Sequence, residues 1–219
     1  MYTLYIAPGA CSMAAHVLLE ECGAVYEVKP VALAKGEQRT EEYRKINPHG
    51  KVPALAVNGK VITQNAAILP YIAGQFPDAN LLPSDPVDFA NCMAVVGWLA
   101  STVHPAFGLA LHPERSAGAT NIGEAALKAI CDTGHKTFWT CLEEIDERLS
   151  GKQWMMGDQF TFAVGATVPL YGTHMQPGNR VDLHAQVYGA TGFNDFFGRE
   201  TTPFEALGGV KFHHTSGLV

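Results

Sequence analysis

The dipeptide Asn58-Gly59, which stands between two short apolar segments, constrains the fold of this chain more than any other local feature. The segments are residues 52–57 (Val-Pro-Ala-Leu-Ala-Val) and residues 60–63 (Lys-Val-Ile-Thr). Asn-Gly favours the two-residue type I′ turn, because both central residues of that turn need positive φ. The sequence therefore predicts a β-hairpin, with Pro53 near the start of its first strand, where a missing N–H group is tolerated.

The residues before the hairpin predict two parallel strands. Residues 2–7 form a short apolar strand, and a helix follows from Ser12, its expected N-cap, to about Cys22, with Gly23 as the residue that ends it. Residues 25–31 alternate apolar and polar side chains, which is typical of a second strand. A strand, a helix and a strand in this order form a βαβ unit, and its two strands are parallel.

A further helix is predicted directly after the hairpin, from about Asn65 to Gln75, and Pro70 should bend it or loosen its first turn. A polar stretch, residues 35–45, connects the second strand to the hairpin region. The order of elements is then βαβ–ββα, which closes an α/β domain over residues 1–78.

The rest of the chain predicts an all-α domain over residues 87–219 that becomes irregular towards its C-terminal end. Residues 76–86, which hold three prolines and show no periodic pattern, form the linker to it. Apolar residues recur at helical spacing in residues 87–103 and 124–149. No strand pattern of comparable quality appears between residues 86 and 156, so the second domain should contain helices alone.

Composition argues against several functions. Hydrophobic residues make up 47% of the chain and charged residues 16%, which indicates a folded protein with a sizeable core. The net charge of −6 and the lack of a run of lysine or arginine argue against nucleic acid as a partner. The sequence holds no unbroken stretch of about 18 apolar residues, so no membrane span is expected.

The cysteines and the first residues indicate the cytoplasm. Five cysteines are spread along the chain without a C-x-x-C pair, so neither a disulfide framework nor a metal site is expected. The first nineteen residues are rather apolar, like those of a secretory signal. A secretory signal also needs a positive charge before its apolar stretch, and no lysine or arginine precedes Lys29. His213-His214 has no carboxylate or cysteine spaced beside it and is interpreted as a solvated tail.

Cys11 is the first candidate for chemistry, because it lies between the end of a strand and the start of a helix. Free backbone N–H groups and the positive end of the helix dipole favour a thiolate there. Ser12 adds a hydroxyl donor one residue further on. The same geometry would hold the thiolate of a bound ligand equally well. The alternative is that Cys11 is a small residue in a tight turn.

Two more places could bind a ligand through backbone and amide groups. A cis peptide at Val52-Pro53 would expose the N–H and C=O groups of Val52 to a partner peptide, whereas Pro53 could also be an ordinary start of a strand. Gln64-Asn65 lies at the start of the next helix. Asn65 is either the N-cap of that helix or, with Gln64, part of a site for a carboxylate.

Five segments, in this order and at this spacing, resemble the signatures of the bacterial cytosolic glutathione S-transferases of the beta class. They are residues 5–12 (Tyr-Ile-Ala-Pro-Gly-Ala-Cys-Ser), 47–55 (Asn-Pro-His-Gly-Lys-Val-Pro-Ala-Leu), 63–69 (Thr-Gln-Asn-Ala-Ala-Ile-Leu), 101–104 (Ser-Thr-Val-His) and 157–161 (Gly-Asp-Gln-Phe-Thr). The resemblance extends over residues 2–163. It implies a thioredoxin-like N-terminal domain, an all-α C-terminal domain, a homodimer in the cytoplasm, and glutathione as co-substrate.

The resemblance also implies which residues surround the glutathione sulfur. Cys11 would face that sulfur, and in this class such a cysteine can form a mixed disulfide with it. Val52, beside a cis-Pro53, would pair its backbone with the cysteinyl unit. His104 would reach towards the sulfur from the helical domain, so that Cys11, Ser12 and His104 form the expected catalytic set.

The charged ends of glutathione have their own implied partners. Gln64 and Asn65 would hold the γ-glutamyl group, and Lys35 or Lys51 would neutralise the glycyl carboxylate. His104 has a second interpretation as a structural histidine at the end of an apolar helix, which the following Pro105 ends or kinks.

The chain departs from the beta class at several positions. Ile6 stands where the class has a second tyrosine, Gln64 replaces an acidic residue, and Asn65 replaces a small one. Val164 stands where the folding motif has the aspartate of a capping box. The resemblance fades beyond that residue, and the glycine-rich residues 207–219 are expected to be irregular.

Three functions remain open at this point. The first is a glutathione transferase that conjugates the glutathione thiolate to hydrophobic electrophiles, for which Phe107, Leu109 and Leu111 would line a pocket unless they belong to the core. The second is a glutathione-dependent thiol–disulfide oxidoreductase that uses Cys11 as its nucleophile. The third is a non-catalytic binding or scaffold protein with the same fold.

Overall fold

The predicted hairpin and the predicted βαβ unit join into one four-stranded sheet. The computed structural model describes residues 1–118, 121–152 and 154–156, and within these the first structural unit comprises residues 1–63. Its elements are β1 (Tyr2–Ile6), α1 (Met13–Glu21), β2 (Tyr26–Pro30), α2 (Glu41–Ile46), β3 (Ala54–Val57) and β4 (Lys60–Thr63). The strands lie in the order β2-β1-β3-β4.

The parallel pair and the hairpin were predicted from the sequence, whereas the pairing that joins them was not. Strand β1 runs parallel to β2, and it pairs antiparallel with β3, where Leu4 lies opposite Leu55. Strands β3 and β4 form the antiparallel hairpin. At its turn, Asn58 and Gly59 have φ values of 49° and 76°, which are the two positive values that a type I′ turn requires.

Helix α1 packs on β1 and closes the core of this unit. The side chains buried there include Leu4, Ala15, Leu18, Leu19 and Leu55. Burial of each leucine contributes about 1.5–3 kcal/mol to folding. Gly23 ends α1 as predicted: its φ is 59°, and its N–H group donates to the carbonyl of Glu20 at 2.9 Å.

Helix α2 lies inside the stretch that the sequence pattern described only as polar. Thr40 is its N-cap, and the Thr40 hydroxyl accepts a hydrogen bond from the Tyr43 N–H group at 3.3 Å. Glu41 and Glu42 place negative charge in the first turn, where the helix dipole is positive. A threonine followed by two acidic residues was therefore an available signal for this helix.

The second unit begins at Gln64, and all its described elements are helices; it includes residues 65–75, which were predicted to belong to the α/β domain. They are α3 (Asn65–Gln75), α4 (Pro86–Trp98), α5 (His104–Leu111), α6 (Glu114–Ala117) and α7 (Glu124–Leu149), with a 3₁₀ turn at Pro77–Ala79 and a π-helical turn at Leu99–Val103. Helices α3 and α7 have the predicted bounds. Helix α7 ends at Ser150-Gly151 as expected, where Gly151 has a φ of 70°.

The N-cap of α3 lies one residue before the predicted one. Gln64, not Asn65, is the N-cap, and its backbone has φ 71° and ψ 127°. Asn65 is already the first helical residue, so the predicted capping role of Asn65 is wrong. Pro70 lies inside α3, and the helix continues past it to Gln75.

Pro105 was expected to end or kink the helix, and the helix does not end there. Helical structure continues from α4 through the π-helical turn into α5, and the His104 N–H group donates to the carbonyl of Leu99, five residues earlier. Proline cannot donate the α-helical hydrogen bond, and its ring would collide with the carbonyl of Ser101, four residues earlier. The π-helical turn provides an arrangement in which that bond is not needed.

Helices α5 and α7 pack closely in the second unit. A Cβ atom placed on Gly134 of α7 would lie 2.4 Å from the Ala110 backbone nitrogen of α5. The Cys131 thiol donates to the Ala110 carbonyl at 3.2 Å. The rings of Phe107 and Phe138 lie 5.5 Å apart between centroids, so Phe107 takes part in this helix packing.

One described helical stretch, Pro86–Leu111, is long and apolar enough to cross a membrane by length and composition alone, which differs from the expectation of no such span. The core helix of a soluble protein passes the same test. The expectations for residues 157–161, Val164, residues 207–219 and His213-His214 concern residues outside those that the structure describes.

Candidate functional site

Ser12 is buried within the loop between β1 and α1. Its hydroxyl accepts a hydrogen bond from the Ala7 N–H group at 3.0 Å and donates to the Ala7 carbonyl at 3.2 Å, and the side chain is 0% exposed. Ser12 is the N-cap residue of α1 as predicted, but its hydroxyl makes no capping hydrogen bond to the helix. The two bonds to Ala7 hold the loop against the end of β1. The sequence suggested that the Ser12 hydroxyl would donate to a ligand, but here it is occupied by Ala7.

Cys11 lies against the residue that precedes Pro53. Its thiol donates to the Val52 carbonyl at 3.6 Å, although the two residues are 41 positions apart in the chain. The peptide bond between Val52 and Pro53 is cis, as the resemblance implied. The fold therefore brings together two of the segments that the sequence singled out.

The protonation state of Cys11 differs from the thiolate that the sequence favoured. Burial raises the pKa of the Cys11 thiol above its ordinary value, and this effect is larger than the opposing effects of its own backbone N–H group and the charge of Lys51. The start of a helix does lower the pKa, but desolvation outweighs it here. The Cys11 side chain is thus a neutral thiol at neutral pH, able to donate a hydrogen bond.

The segment that carries Lys51 and Val52 is held by two buried side chains. The Tyr43 hydroxyl donates to the Lys51 carbonyl at 2.9 Å, and the Asn47 side-chain amide donates to the same oxygen at 2.6 Å. The Asn47 carbonyl oxygen accepts from the His49 N–H group at 3.1 Å. The sequence did not indicate Tyr43, because its position in a polar stretch gives no sign of the direction of its hydroxyl.

The two candidate lysines differ in their relation to the cysteine. Lys51 is exposed, directly precedes Val52, and exerts an electrostatic effect on Cys11. Lys35 is an exposed residue of the 3₁₀ turn Leu33–Lys35. Lys51 is therefore the better placed of the two to act near the Cys11–Val52 pair.

The remaining candidates, Gln64, Asn65 and His104, belong to the second unit. Gln64 is exposed and has positive φ, a conformation that costs a residue other than glycine about 1 kcal/mol and that recurs at functional sites. Asn65 is half-buried at the first position of α3, and His104 is exposed at the first position of α5.

Known proteins resemble this chain over most of its length. The family model for the glutathione S-transferase N-terminal domain matches residues 1–74. Glutathione S-transferase GstA of Escherichia coli O157:H7 is 30% identical over 165 residues, which cover 73% of this chain and 76% of that protein. Maleylacetoacetate isomerase of Mus musculus is 32% identical over 162 residues, covering 73% of this chain and 71% of that protein.

Solved structures agree with the sequence comparisons. A glutathione transferase homologue from Sulfitobacter, crystallised with bound glutathione, superposes with a TM-score of 0.68 at 29% identity, covering 74% of this chain and 76% of that one. The bacterial beta-class glutathione S-transferase of Sphingomonas chungbukensis superposes with a TM-score of 0.61 at 32% identity, covering 73% and 76%.

Proposed function

Because this chain belongs to the glutathione S-transferase family, we propose that Cys11, Lys51 and Val52 form the part of its glutathione site that lies in the first unit. The chain is a glutathione transferase, an enzyme whose co-substrate is glutathione, and its first unit is built on the thioredoxin-like domain of that family. The observation that carries the proposal is the 3.6 Å contact between the Cys11 thiol and the Val52 carbonyl.

The backbone of Val52 would bind the cysteinyl unit of glutathione by pairing N–H and C=O groups with it, as in strand addition. Such pairing brings the sulfur of the ligand towards the neighbouring Cys11 side chain. The exposed Lys51 ammonium would attract the glycyl carboxylate, and Lys35 is its weaker rival. In the second unit, we assign Gln64 and Asn65 to the γ-glutamyl group and His104 to the sulfur.

The neutral Cys11 thiol favours conjugation over disulfide exchange. A thiol that stays protonated is a poor nucleophile, since only the thiolate attacks a disulfide. It is a suitable hydrogen-bond donor to the thiolate of glutathione, however, and donation to the charged form lowers the pKa of the ligand thiol. When a ligand N–H group takes over the Val52 carbonyl, the Cys11 S–H group is released for this role.

The reaction is then a nucleophilic displacement or addition by the glutathione sulfur. The thiolate forms a C–S bond to an electrophilic carbon of a hydrophobic substrate, and a leaving group, where one is present, departs with its electron pair. Ser12 is given no chemical step, because its hydroxyl already binds Ala7 on both sides. Ser12 instead maintains the loop that carries Cys11.

Conjugation of an aryl halide tests the proposal. Cys11→Ala should keep conjugation, with kcat/KM reduced about tenfold through loss of one hydrogen bond to a charged sulfur. The pH profile of kcat should move to higher pH, since the ligand thiol loses a group that favours its ionisation. Cys22→Ala, which alters another half-buried cysteine of the same unit, should match the parent.

The oxidoreductase function makes the opposite prediction. If Cys11 is the nucleophile, oxidised glutathione should add one glutathionyl group to the parent but not to Cys11→Ala, as intact mass would show. Disulfide reduction should then disappear in the variant, with no conjugation in either protein. That combination of results would overturn the assignment of Cys11 as a donor.

A second candidate activity is glutathione-dependent isomerisation, because several relatives are maleylacetoacetate isomerases, among them the mouse protein. In that chemistry, the glutathione thiolate adds to a carbon–carbon double bond, rotation follows, and the thiolate leaves unchanged. Turnover of maleylacetoacetate without consumption of glutathione would identify it. The beta class, a homodimer and a cytoplasmic location complete the proposal, and light scattering of the purified protein tests the dimer.

A further inference from the structure

We infer that Tyr43 and Asn47 are positioning residues that orient the Val52 N–H group for its ligand. The inference rests on the proposed glutathione site and adds the residues that make its backbone part rigid. Neither side chain needs to touch the ligand. Both act through a single backbone oxygen, that of Lys51.

The Lys51 carbonyl receives two hydrogen bonds, from the Tyr43 hydroxyl at 2.9 Å and from the Asn47 amide at 2.6 Å. A carbonyl oxygen has two lone pairs, so both are in use. The donors are buried, with Tyr43 4% exposed and Asn47 2% exposed. Water has little access to these two donors, so both are available to fix the direction of the Lys51 carbonyl.

The same peptide unit contains the Lys51 carbonyl and the Val52 N–H group. A peptide unit is planar, and in its trans form the N–H bond points opposite to the C=O bond. The only cis peptide of the described residues is the next one, Val52-Pro53. When Tyr43 and Asn47 fix the carbonyl on one side, they fix the direction of the Val52 N–H group on the other.

The two donors are themselves held in place. The Asn47 carbonyl oxygen accepts from the His49 N–H group, and the Asn47 N–H group donates to the Tyr43 carbonyl at 2.9 Å. The Tyr43 ring packs edge-on against Tyr5, with centroids 6.0 Å apart. Burial raises the pKa of Tyr43 to about 12, so its hydroxyl keeps its proton throughout the neutral range.

Glycine at position 50 completes the arrangement. Gly50 has a φ of 60°, and a Cβ atom placed on it would lie 2.7 Å from the Gln38 carbonyl oxygen. The backbone just before Lys51 thus lies in close contact with the backbone at Gln38. The segment therefore has little room to move directly before the residue that receives the two hydrogen bonds.

The test compares Tyr43→Phe with the parent in two measurements. Calorimetric titration with glutathione should show a Kd about tenfold higher, because the Val52 N–H group is no longer held in its binding direction. With an aryl halide, KM for glutathione should rise by a similar factor while kcat at saturating glutathione stays within about twofold. Asn47→Ser should act in the same direction.

Thr40→Ala is the matched control. It removes the cap of the helix that carries Tyr43 but leaves both donors to Lys51 intact, so its Kd should equal that of the parent. If Thr40→Ala weakens binding as much as Tyr43→Phe does, the effect is one of general stability and the inference fails. An unchanged Kd in Tyr43→Phe, with glutathione bound by the parent, also overturns it.

A measurement without ligand separates this inference from the proposed function. The NMR order parameter of the Val52 amide should fall in Tyr43→Phe from the value of about 0.85 that is typical of rigid backbone, and it should keep that value in Thr40→Ala. If the parent fails to bind glutathione but the order parameter falls as expected, the proposed site is wrong and the positioning role stands. An unchanged order parameter contradicts the positioning role whatever the parent binds.

Discussion

The turn before Val52 and the crossing of α5 with α7 each contain a glycine that lies close to the backbone of another segment of the chain. The two sites are built from different interactions. At Gly50 the neighbour is a carbonyl oxygen, and the surrounding contacts are hydrogen bonds to one peptide unit. At Gly134 the neighbours are the backbone of Leu109 and Ala110 and the Leu109 side chain. The packing there is mainly apolar, with Phe107 against Phe138.

This difference indicates what each region does. Directed hydrogen bonds fix the orientation of a peptide group, which matters for binding a ligand. Close packing of helices excludes water and holds the unit together without orienting any single group. Damage to the turn should therefore reduce both glutathione binding and stability, whereas damage to the helix crossing should reduce stability and leave binding unchanged.

The largest effect on stability is expected for Gly134→Ala. Alanine in an exposed helix normally stabilises by up to ~1 kcal/mol over glycine, but here its Cβ atom would lie 2.4 Å from the Ala110 nitrogen. Separation of the helices should lower the free energy of unfolding by about 3 kcal/mol, measured by urea denaturation. Gly97→Ala in α4 is the control, because its Cβ meets no described atom within 4 Å and should stabilise slightly.

Gly50→Ala should cost about 2 kcal/mol, since it combines a strained positive φ with a contact of 2.7 Å to the Gln38 carbonyl. It should also raise the Kd for glutathione severalfold, which Gly134→Ala should not do. Gly59→Ala separates the two causes, because Gly59 has a φ of 76° but no described atom within 4 Å of the added carbon. Equal losses in the two variants would show that the close approach to Gln38 is unimportant.

A smaller loss is expected for Cys131→Ala. The change removes the thiol that donates to the Ala110 carbonyl at 3.2 Å, and the loss of one hydrogen bond and some packing should cost about 1 kcal/mol. Glutathione binding should not change. A Kd that rises with this variant would contradict the separation between a stabilising helix crossing and an orienting turn.

The smallest effect concerns the pH dependence of Cys11. Because burial raises the pKa of its thiol, the folded protein holds that proton more tightly than the unfolded chain does. This contribution to stability is complete below the unfolded pKa and is lost as pH rises above 9.0, the ordinary value, through the higher folded value. Urea denaturation at several alkaline pH values should show a weaker decline in Cys11→Ala than in the parent.

Alkylation provides a direct check on the same point. The rate of reaction of Cys11 with iodoacetamide, followed by peptide mapping, should reach half its maximum above pH 9.0. A midpoint near neutrality would mean that the helix start dominates after all. Such a result would favour the oxidoreductase function, in which Cys11 is the nucleophile.

The parts of the fold set by local interactions were predictable from the sequence. Asn58-Gly59 specifies its turn by backbone conformation alone, and α7 shows a long apolar repeat, so both were predicted with the correct bounds. The cis peptide at Val52-Pro53 was implied only by the resemblance to a family. Helix α2 was missed because its cap, Thr40, lies in a stretch that was interpreted by polarity alone.

The site depends on contacts that no local pattern contains. Cys11 meets Val52 across 41 positions of the chain. The sequence supplied the helix start that favours a thiolate, but the burial that reverses this preference is a property of the folded unit. Ser12 is the predicted N-cap residue of α1, but its hydroxyl binds the Ala7 N–H and C=O groups instead of the helix, which its position in the sequence could not reveal.

The π-helical turn at Leu99–Val103 has a consequence for how this chain can change in evolution. Such a turn holds more residues than an α-helical turn does, as if one had been inserted. Deletion of that residue alone would restore an α-helix, in which the ring of Pro105 collides with the carbonyl four residues earlier at a cost of ~3 kcal/mol. Replacement of Pro105 alone would leave the extra residue of the π-helical turn in place, although the helix would no longer contain a proline that needs it. The proline therefore preserves the insertion, because the inserted residue can be lost without this penalty only if Pro105 is lost as well.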